Sequence, residues 1–306
     1  MSAKRILLIA NPASGHHRGK QRLAQAEEHL ASLGHSVSAE LTESAGHATL
    51  LTKSNAPDFE IVAALGGDGT VNEVANGLMA VEPGDRPALS TLPVGTGNDV
   101  ALTFGLAHFE TAIGALANGS TRALDVIRVR MMRDGKSVTR HALLFVAAGF
   151  AAEVIRKTGP RVKRIFGRRF SYSVGLFRAL ASFRAPEFTV KWNGQEKQET
   201  MFQVCAGNTE FAAGGVMRIS PGALPDDGLL NISLVGELSR LQIIRQFPSI
   251  LSGRYVENER VDYFTGKRLE IDAVPPVEIQ ADGDIIGTTP ATIDLLPDAL
   301  RLVTPK

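Results

Sequence analysis

Over roughly the first 125 positions, apolar runs of about five residues alternate with longer stretches whose apolar positions recur every three or four. Ile6 to Ala10, Ser36 to Leu41, Ile61 to Leu65 and Ala88 to Leu92 read as strands. Lys20 to Leu33, His47 to Lys53, Thr70 to Met79 and Asn98 to Phe104 read as the helices that follow them. Such alternation predicts an open, mainly parallel sheet covered by helices. From about Asp125 the pattern changes to short runs rich in Val, Ile, Phe and Leu: Val126 to Arg130, Leu143 to Ala147, Phe188 to Trp192, Met201 to Cys205 and Leu230 to Val235. These predict antiparallel strands. One stretch interrupts them, Lys163 to Phe183, where Phe166, Phe170, Val174, Phe177 and Leu180 fall at near-helical spacing and predict an amphipathic helix with a basic face.

The change of period puts a domain junction near residues 125 to 130, and 306 residues suffice for two domains. With 44% hydrophobic and 21% charged residues the chain is a folded one, not a disordered one. Its single cysteine, Cys205, cannot form an intrachain disulfide, which fits a reducing compartment, so a cytoplasmic protein is expected. The run Ile6 to Ala10 is too short for the core of a secretory signal, and the longest apolar stretch, Ala142 to Ala152, falls well short of the roughly 20 residues that span a bilayer. Any membrane contact is therefore expected to be peripheral. The net charge of +1 hides a block over residues 154–186 with nine Lys or Arg and no acid, which reads either as a solvated face or as a surface for an anionic partner.

Candidate chemistry sits where strands hand over to helices. Gly66-Gly67-Asp68-Gly69-Thr70-Val71-Asn72-Glu73 follows an apolar strand and opens a helix, so backbone N–H groups can converge on a phosphate at the helix N-terminus. Asp68 can hold Mg²⁺ directly or through water, and the Thr70 hydroxyl can donate to a phosphate oxygen; the same residues would also serve an ordinary capped turn. Asn11-Pro12-Ala13-Ser14-Gly15 and Leu92-Pro93-Val94-Gly95-Thr96-Gly97-Asn98-Asp99 end the first and fourth strands in the same way. Open α/β sheets bind ligands at the C-terminal ends of their strands, so the three turns are expected to form one polyphosphate cleft. A dinucleotide fingerprint is disfavoured by Asn72 at its third glycine position, and Gly15 to Lys20 misses a P-loop by its spacing and by Gln21. Neither HExxH nor GxSxG occurs.

With these motifs the sequence resembles the catalytic-domain family of diacylglycerol, sphingosine and ceramide kinases, most closely its bacterial lipid kinase branch. NPASG, GGDGTVNEVANGL and LPVGTGNDVA carry the resemblance in the first half. Gly207-Asn208, Gly214-Gly215, Ser220-Pro221, Asp227-Gly228-Leu229-Leu230 and Asp282-Gly283 carry it in the second. GGDGT alone is also found in NAD kinases and phosphofructokinases. The resemblance implies a phosphofructokinase-like α/β nucleotide domain over residues 1–127, to which residues 299–306 return, and an antiparallel β-sandwich domain over 128–298. It implies an ATP site lined by Asn11, Pro12, Ser14, Gly15, Thr42, Gly67, Asp68, Gly69, Thr70, Val71, Asn72, Glu73 and Thr96. A structural Mg²⁺ would be held by Asp227 with the main-chain carbonyls of Leu224 and Leu229. The general base implied is Asp284, where the family has a glutamate one methylene longer; with Asp68 it forms the expected catalytic pair.

The expected activity is transfer of the γ-phosphoryl group of ATP to a lipid hydroxyl of diacylglycerol type at an anionic membrane surface, with no nucleic-acid partner. Two alternatives stay open. A soluble kinase of the NAD kinase kind would also use GGDGT, and a sensor of lipid or nucleotide could keep the fold without turnover.

Overall fold

A computed structural model describes residues 3–158 and 174–306. Strands β1 (Arg5–Ala10), β2 (Ser36–Leu41), β3 (Ile61–Gly66) and β4 (Ala88–Pro93) form a parallel sheet in the order β4-β3-β1-β2. Every residue of β3 is buried, as is the run Ile6 to Ala10 of β1, which is why these strands read as unbroken apolar runs instead of alternating ones. The connecting helices are α1 (Ser14–His17), α2 (Gly19–Ser32), α3 (His47–Asn55), α4 (Asp68–Leu78), α5 (Asp99–Thr103) and α6 (Phe109–Asn118). Leu23, Ala26 and Leu30 of α2 lie on one face and are buried.

Helix starts differ from the sequence expectation for local reasons. The one-turn α1 precedes α2. Helix α4 begins at Asp68, two residues before the expected Thr70, with Gly67 as its extended N-cap. Helix α5 begins at Asp99 because Asn98 takes a left-handed φ of 58°, a conformation that asparagine tolerates better than most residues.

Beyond α6 the chain forms β5 (Ser120–Arg133), β6 (Lys136–Ala142), β7 (Phe145–Gly149), α7 (Phe150–Lys157) and a helical segment, α8, over 174–182. It continues with β8 (Glu187–Trp192), β9 (Gln195–Gly207), the short pair β10 (Phe211–Ala212) and β11 (Met217–Arg218), β12 (Leu230–Gly236), α9 (Arg240–Ser252), β13 (Val261–Gly266), β14 (Arg268–Val274), β15 (Glu278–Ala281) and β16 (Asp284–Thr304). All pairings among β5 to β16 are antiparallel, and they curl around a second core built from residues such as Ile127, Val146, Phe188, Val204, Ile232, Ile271 and Ile279. The result is the α/β domain that the pattern predicted, followed by the antiparallel, sandwich-like domain that the resemblance implied.

Two features depart from the expectation, and a third falls partly outside the described residues. Leu302 pairs in parallel with Leu89 of β4, in keeping with the expected return of residues 299–306, but the sheet does not break at the junction: β16 pairs with β5 along most of its length, so one strand belongs to both cores. Helices α7 and α9 occur where only strands were expected. Of the helix expected over Lys163 to Phe183, residues 174–182 are helical; Phe166, Phe170 and most of the basic block lie outside the described residues.

Candidate active site

The three turns meet at the C-terminal ends of β1, β3 and β4. Asn11 N–H donates to the Leu65 carbonyl at 3.0 Å, and the N–H groups of Val94 and Gly95 both donate to the Gly66 carbonyl, at 2.9 and 3.2 Å. Glycine is required at these crossings. A Cβ added to Gly95 would lie 2.5 Å from the Gly67 Cα, and one added to Gly15 would lie 2.6 Å from the Val94 carbonyl oxygen. Within the first turn the Asn11 side chain accepts the Ala13 N–H at 3.0 Å, Ser14 is buried, and Asn11 and Pro12 are half-buried. Thr96 is exposed at the tip of the third turn.

Asp68 stands between two turns. Its Oδ1 accepts the Val100 N–H at 3.2 Å, so it caps α5 while heading α4. Burial holds its carboxyl above the ordinary range, with a contribution from the nearby Asp99 carboxylate and opposition from the N–H groups of residues 98–100. Gly69 is exposed beside it. Thr70 is buried with its hydroxyl against Gly66, whose added Cβ would lie 2.4 Å from Oγ1. Val71 is buried as well, so it can offer the cleft only backbone. The Glu73 carboxylate accepts the N–H groups of Gly46 at 2.8 Å and Ala48 at 3.1 Å, capping α3 and tying the loop after Thr42 to α4. Thr42 itself donates its N–H to the Ala10 carbonyl, which seats it at the same end of the sheet.

Asn72 reaches the other domain. Its amide donates to Asp282 Oδ2 at 2.8 Å and to the His141 carbonyl at 3.1 Å, and Asn76 one turn later donates to that carbonyl at 2.9 Å and accepts the His141 N–H at 3.0 Å. Asp282 also accepts the N–H groups of Leu143, Leu144 and Phe145; burial pushes its carboxyl up to about 6 despite these four donors. Asp282 and Gly283, at φ 48° and 93°, form the two-residue turn joining β15 to β16, and Asp284 is the exposed first residue of β16, opposite Ala281. Asp284 is thus two residues from the Asn72–Asp282 bond. On the opposite side of the turns, Asp99 Oδ1 accepts the Gly215 N–H at 2.9 Å, and that glycine lies between β10 and β11. Asn76, Asp99, His141 and Asp282 were not predicted as site residues, although Asn76, Asp99 and Asp282 lie inside the quoted motifs.

The loop over 224–229 lies apart from these turns, against the junction of the domains. Asp227 Oδ1 accepts the Leu229 N–H at 2.9 Å, Asp226 pairs with Arg122 at 2.7 Å, and the buried Asp125 accepts Gly228 N–H at 2.7 Å and Asp298 N–H at 2.8 Å. Burial raises the Asp125 carboxyl, and the Asp227 and Asp226 charges add to it. Among the described residues no cluster of three His, Cys, Asp or Glu side chains could hold a metal. The expected set of one carboxylate and two carbonyls offers the hard oxygens that Mg²⁺ accepts, in a negative field.

Nucleotide-type turns at a parallel sheet, bridged to a sandwich-like domain through Asn72 and Asp99, define a two-domain kinase scaffold. Residues 5–129 match the diacylglycerol kinase catalytic domain, and residues 144–304 match the YegS C-terminal NAD kinase beta sandwich-like domain. The chain belongs to the kinase family that joins a diacylglycerol kinase catalytic domain to a YegS-type C-terminal domain. A diacylglycerol kinase of Bacillus subtilis (strain 168) is 27% identical over 308 residues, which span 99% of this chain and 97% of its own length. The fold is shared with a solved diacylglycerol kinase of Bacillus anthracis str. Sterne, at TM-score 0.73 and 22% identity, covering 99% of this chain and 98% of that one. It is shared more distantly with yeast NADH kinase, at TM-score 0.53 and 11% identity, covering 100% and 85%.

Proposed function

We propose that the protein transfers the γ-phosphoryl group of ATP to the hydroxyl of a diacylglycerol-type lipid at a membrane surface. The observation that carries this reading is the Asn72–Asp282 bond, which fastens the β15–β16 turn, and with it Asp284, to the helix that opens the phosphate turns. ATP is proposed to bind across Asn11 to Gly15, Thr42, Gly67 to Glu73 and Thr96, with phosphates toward the N-terminus of α4. Asp284 would accept the proton of the attacking lipid hydroxyl, and Asp68 would organise the magnesium ion and phosphates. A Mg²⁺ at Asp227, Leu224 and Leu229 would hold the junction loop. The names of full-length relatives support the lipid acceptor. Among the described residues no helix is long and apolar enough to cross a membrane, so the reading has the enzyme meeting its substrate from one side.

The test is transfer of radiolabelled phosphate from ATP to a panel of diacylglycerol, phosphatidylglycerol and sphingosine in vesicles, and to NAD. Label in a lipid is the expected result. Label in NAD alone would replace the reading with a soluble nucleotide kinase, and ATP binding with no transfer would replace it with a sensor.

A further inference from the structure

Helix α9 is built to hold its shape and yet buries none of its residues. Its N-terminus carries a full capping box, with Ser239 Oγ accepting the Gln242 N–H at 3.3 Å and Gln242 Oε1 accepting the Ser239 N–H at 2.8 Å. Its C-terminus closes on Gly253 in the left-handed conformation. Between these caps Leu241 and Ile244 are 57% exposed, Leu251 44% and Phe247 36%, and Pro248 is exposed beside them. Positions 241, 244, 247, 248 and 251 fall within an arc of about 120° on a helix, so they form one apolar stripe. The half-buried positions Gln242, Ile243, Gln246, Ser249 and Ile250 fill the arc that faces the body. An isolated exposed leucine needs no explanation, but a capped helix presenting five apolar residues in register has a partner.

Charge says which partner. The helix contains Arg240 and Arg245 and no acid. Arg240 donates to the Ala181 carbonyl at 2.8 Å, which joins α9 to α8, where Phe177 and Arg178 are both exposed and the sequence through Arg184 is again free of acid. Nearby Glu257 is paired with Arg254 at 3.1 Å. On the other side α9 packs on β11, and the loop between β10 and β11, with exposed Val216, is the one that reaches Asp99 in the turns. An apolar stripe flanked by the exposed Arg178, Arg240 and Arg245, on a helix packed against the β11 strand whose preceding loop reaches the turns, matches the interface of an anionic bilayer, where acyl chains take the stripe and headgroups take the arginines.

We infer that α9 lies in the membrane–water interface with Leu241, Ile244, Phe247 and Leu251 inserted into an anionic leaflet, and that the β10–β11 loop carries this contact to the turns. The inference deepens the proposed function and rests on it for the position of the cleft. Docking through α9 brings the sandwich-side wall of the cleft to the layer that contains the lipid hydroxyl. It requires nothing of the segment outside the described residues.

The experiment compares the parent with a variant carrying Leu241→Gln, Ile244→Gln, Phe247→Gln and Leu251→Gln. Both are sedimented with phosphatidylcholine vesicles containing 30% phosphatidylglycerol, and assayed on a short-chain diacylglycerol dissolved as monomers. The variant is expected to lose at least tenfold in vesicle partitioning while keeping its melting temperature and its turnover on the dissolved substrate. Equal partitioning of parent and variant overturns the inference. So does a parent dimer, seen by light scattering, that becomes monomeric in the variant while vesicle binding persists, since the stripe would then face a second copy. Phe247→Trp provides a milder probe: brominated lipids should quench it beyond the quenching of the native Trp192, and absence of extra quenching counts against insertion. Vesicle binding through α9 without phosphorylation of any lipid would sink the proposed function and leave the docking surface standing.

Discussion

Removing the Asp68 carboxylate deletes the acceptor for the Val100 N–H as well as the charge proposed to organise magnesium and phosphate. Asp68→Ala is therefore expected to cost about 1 kcal/mol of stability, the usual worth of a helix cap, together with a loss of kcat far larger than that cost accounts for. Denaturant melts beside steady-state kinetics separate the two effects; a stability loss with unchanged kcat would leave Asp68 a cap only. His141 offers a test by pH. Its pKa is lowered to about 4, chiefly by burial and then by Arg128, Arg86 and Arg140, so the folded protein holds it neutral. The unfolded chain binds its proton near the ordinary value of 6.5, so stability from this residue is present above that pH and is lost as pH falls towards 4. By pH 5 the loss is about 2 kcal/mol. Asp282 works the other way: its raised carboxyl favours the folded state as pH falls through about 6. The parent's net slope mixes both, so the informative quantity is the difference from His141→Gln. That variant should lose less stability than the parent between pH 7 and pH 5, and identical profiles would contradict a buried neutral imidazole.

Among the elements, the turns depend on backbone touching backbone. An added Cβ at Gly95 would meet Gly67 Cα at 2.5 Å and Asn98 Oδ1 at 2.8 Å, whereas at Gly84 it would meet nothing within 4 Å. Gly95→Ala is expected to lose about 1–3 kcal/mol of stability, the range for overpacking, and to weaken ATP binding, with Gly84→Ala as an innocuous control. Calorimetric titration with ATP checks this, and equal affinities would mean that the turns do not form the nucleotide cleft. These turns were legible in the sequence because a local grammar writes them: an apolar run, a turn with one or more glycines, then a helix. The helix α9 was not legible. Pro248 inside it argues against a helix from sequence, and its apolar residues could as well have been a strand buried in the sandwich. Glu73 was singled out through the resemblance; that its carboxylate also caps α3 was not legible, because Gly46 and Ala48 lie 27 and 25 positions before it.

At the scale of the molecule, the bonds that join the two domains were the least legible, since Asn72 and Asp282 are 210 positions apart and no local pattern relates them. The return of residues 299–306 to the first domain came from the resemblance, and Leu302 does pair with Leu89; that the same strand β16 runs on from the second core, paired with β5 along most of its length, was not legible, because its apolar run suits either core. Asp125 sits at this joint, holding the N–H groups of Gly228 and Asp298, so a cation at Asp227 would brace the same seam. A cation that binds the native state stabilises it by mass action. Without ATP, added Mg²⁺ is therefore expected to raise the melting temperature of the parent more than that of Asp227→Ala; equal responses would make Asp227 a turn residue.

The joint also sets the central claim, that the β15–β16 turn brings a base to the phosphate turns for transfer to a lipid. Single-turnover transfer of radiolabelled phosphate from ATP to dioleoylglycerol in anionic vesicles, with Asp284→Asn and Asp284→Glu beside the parent, tests it most directly. The expected result is label in the lipid with the parent, a rate lower by roughly 10²–10⁴ with Asn at nearly unchanged ATP affinity, and most of the rate retained with Glu. Full transfer by Asp284→Asn, or no lipid labelling by the parent, would contradict it.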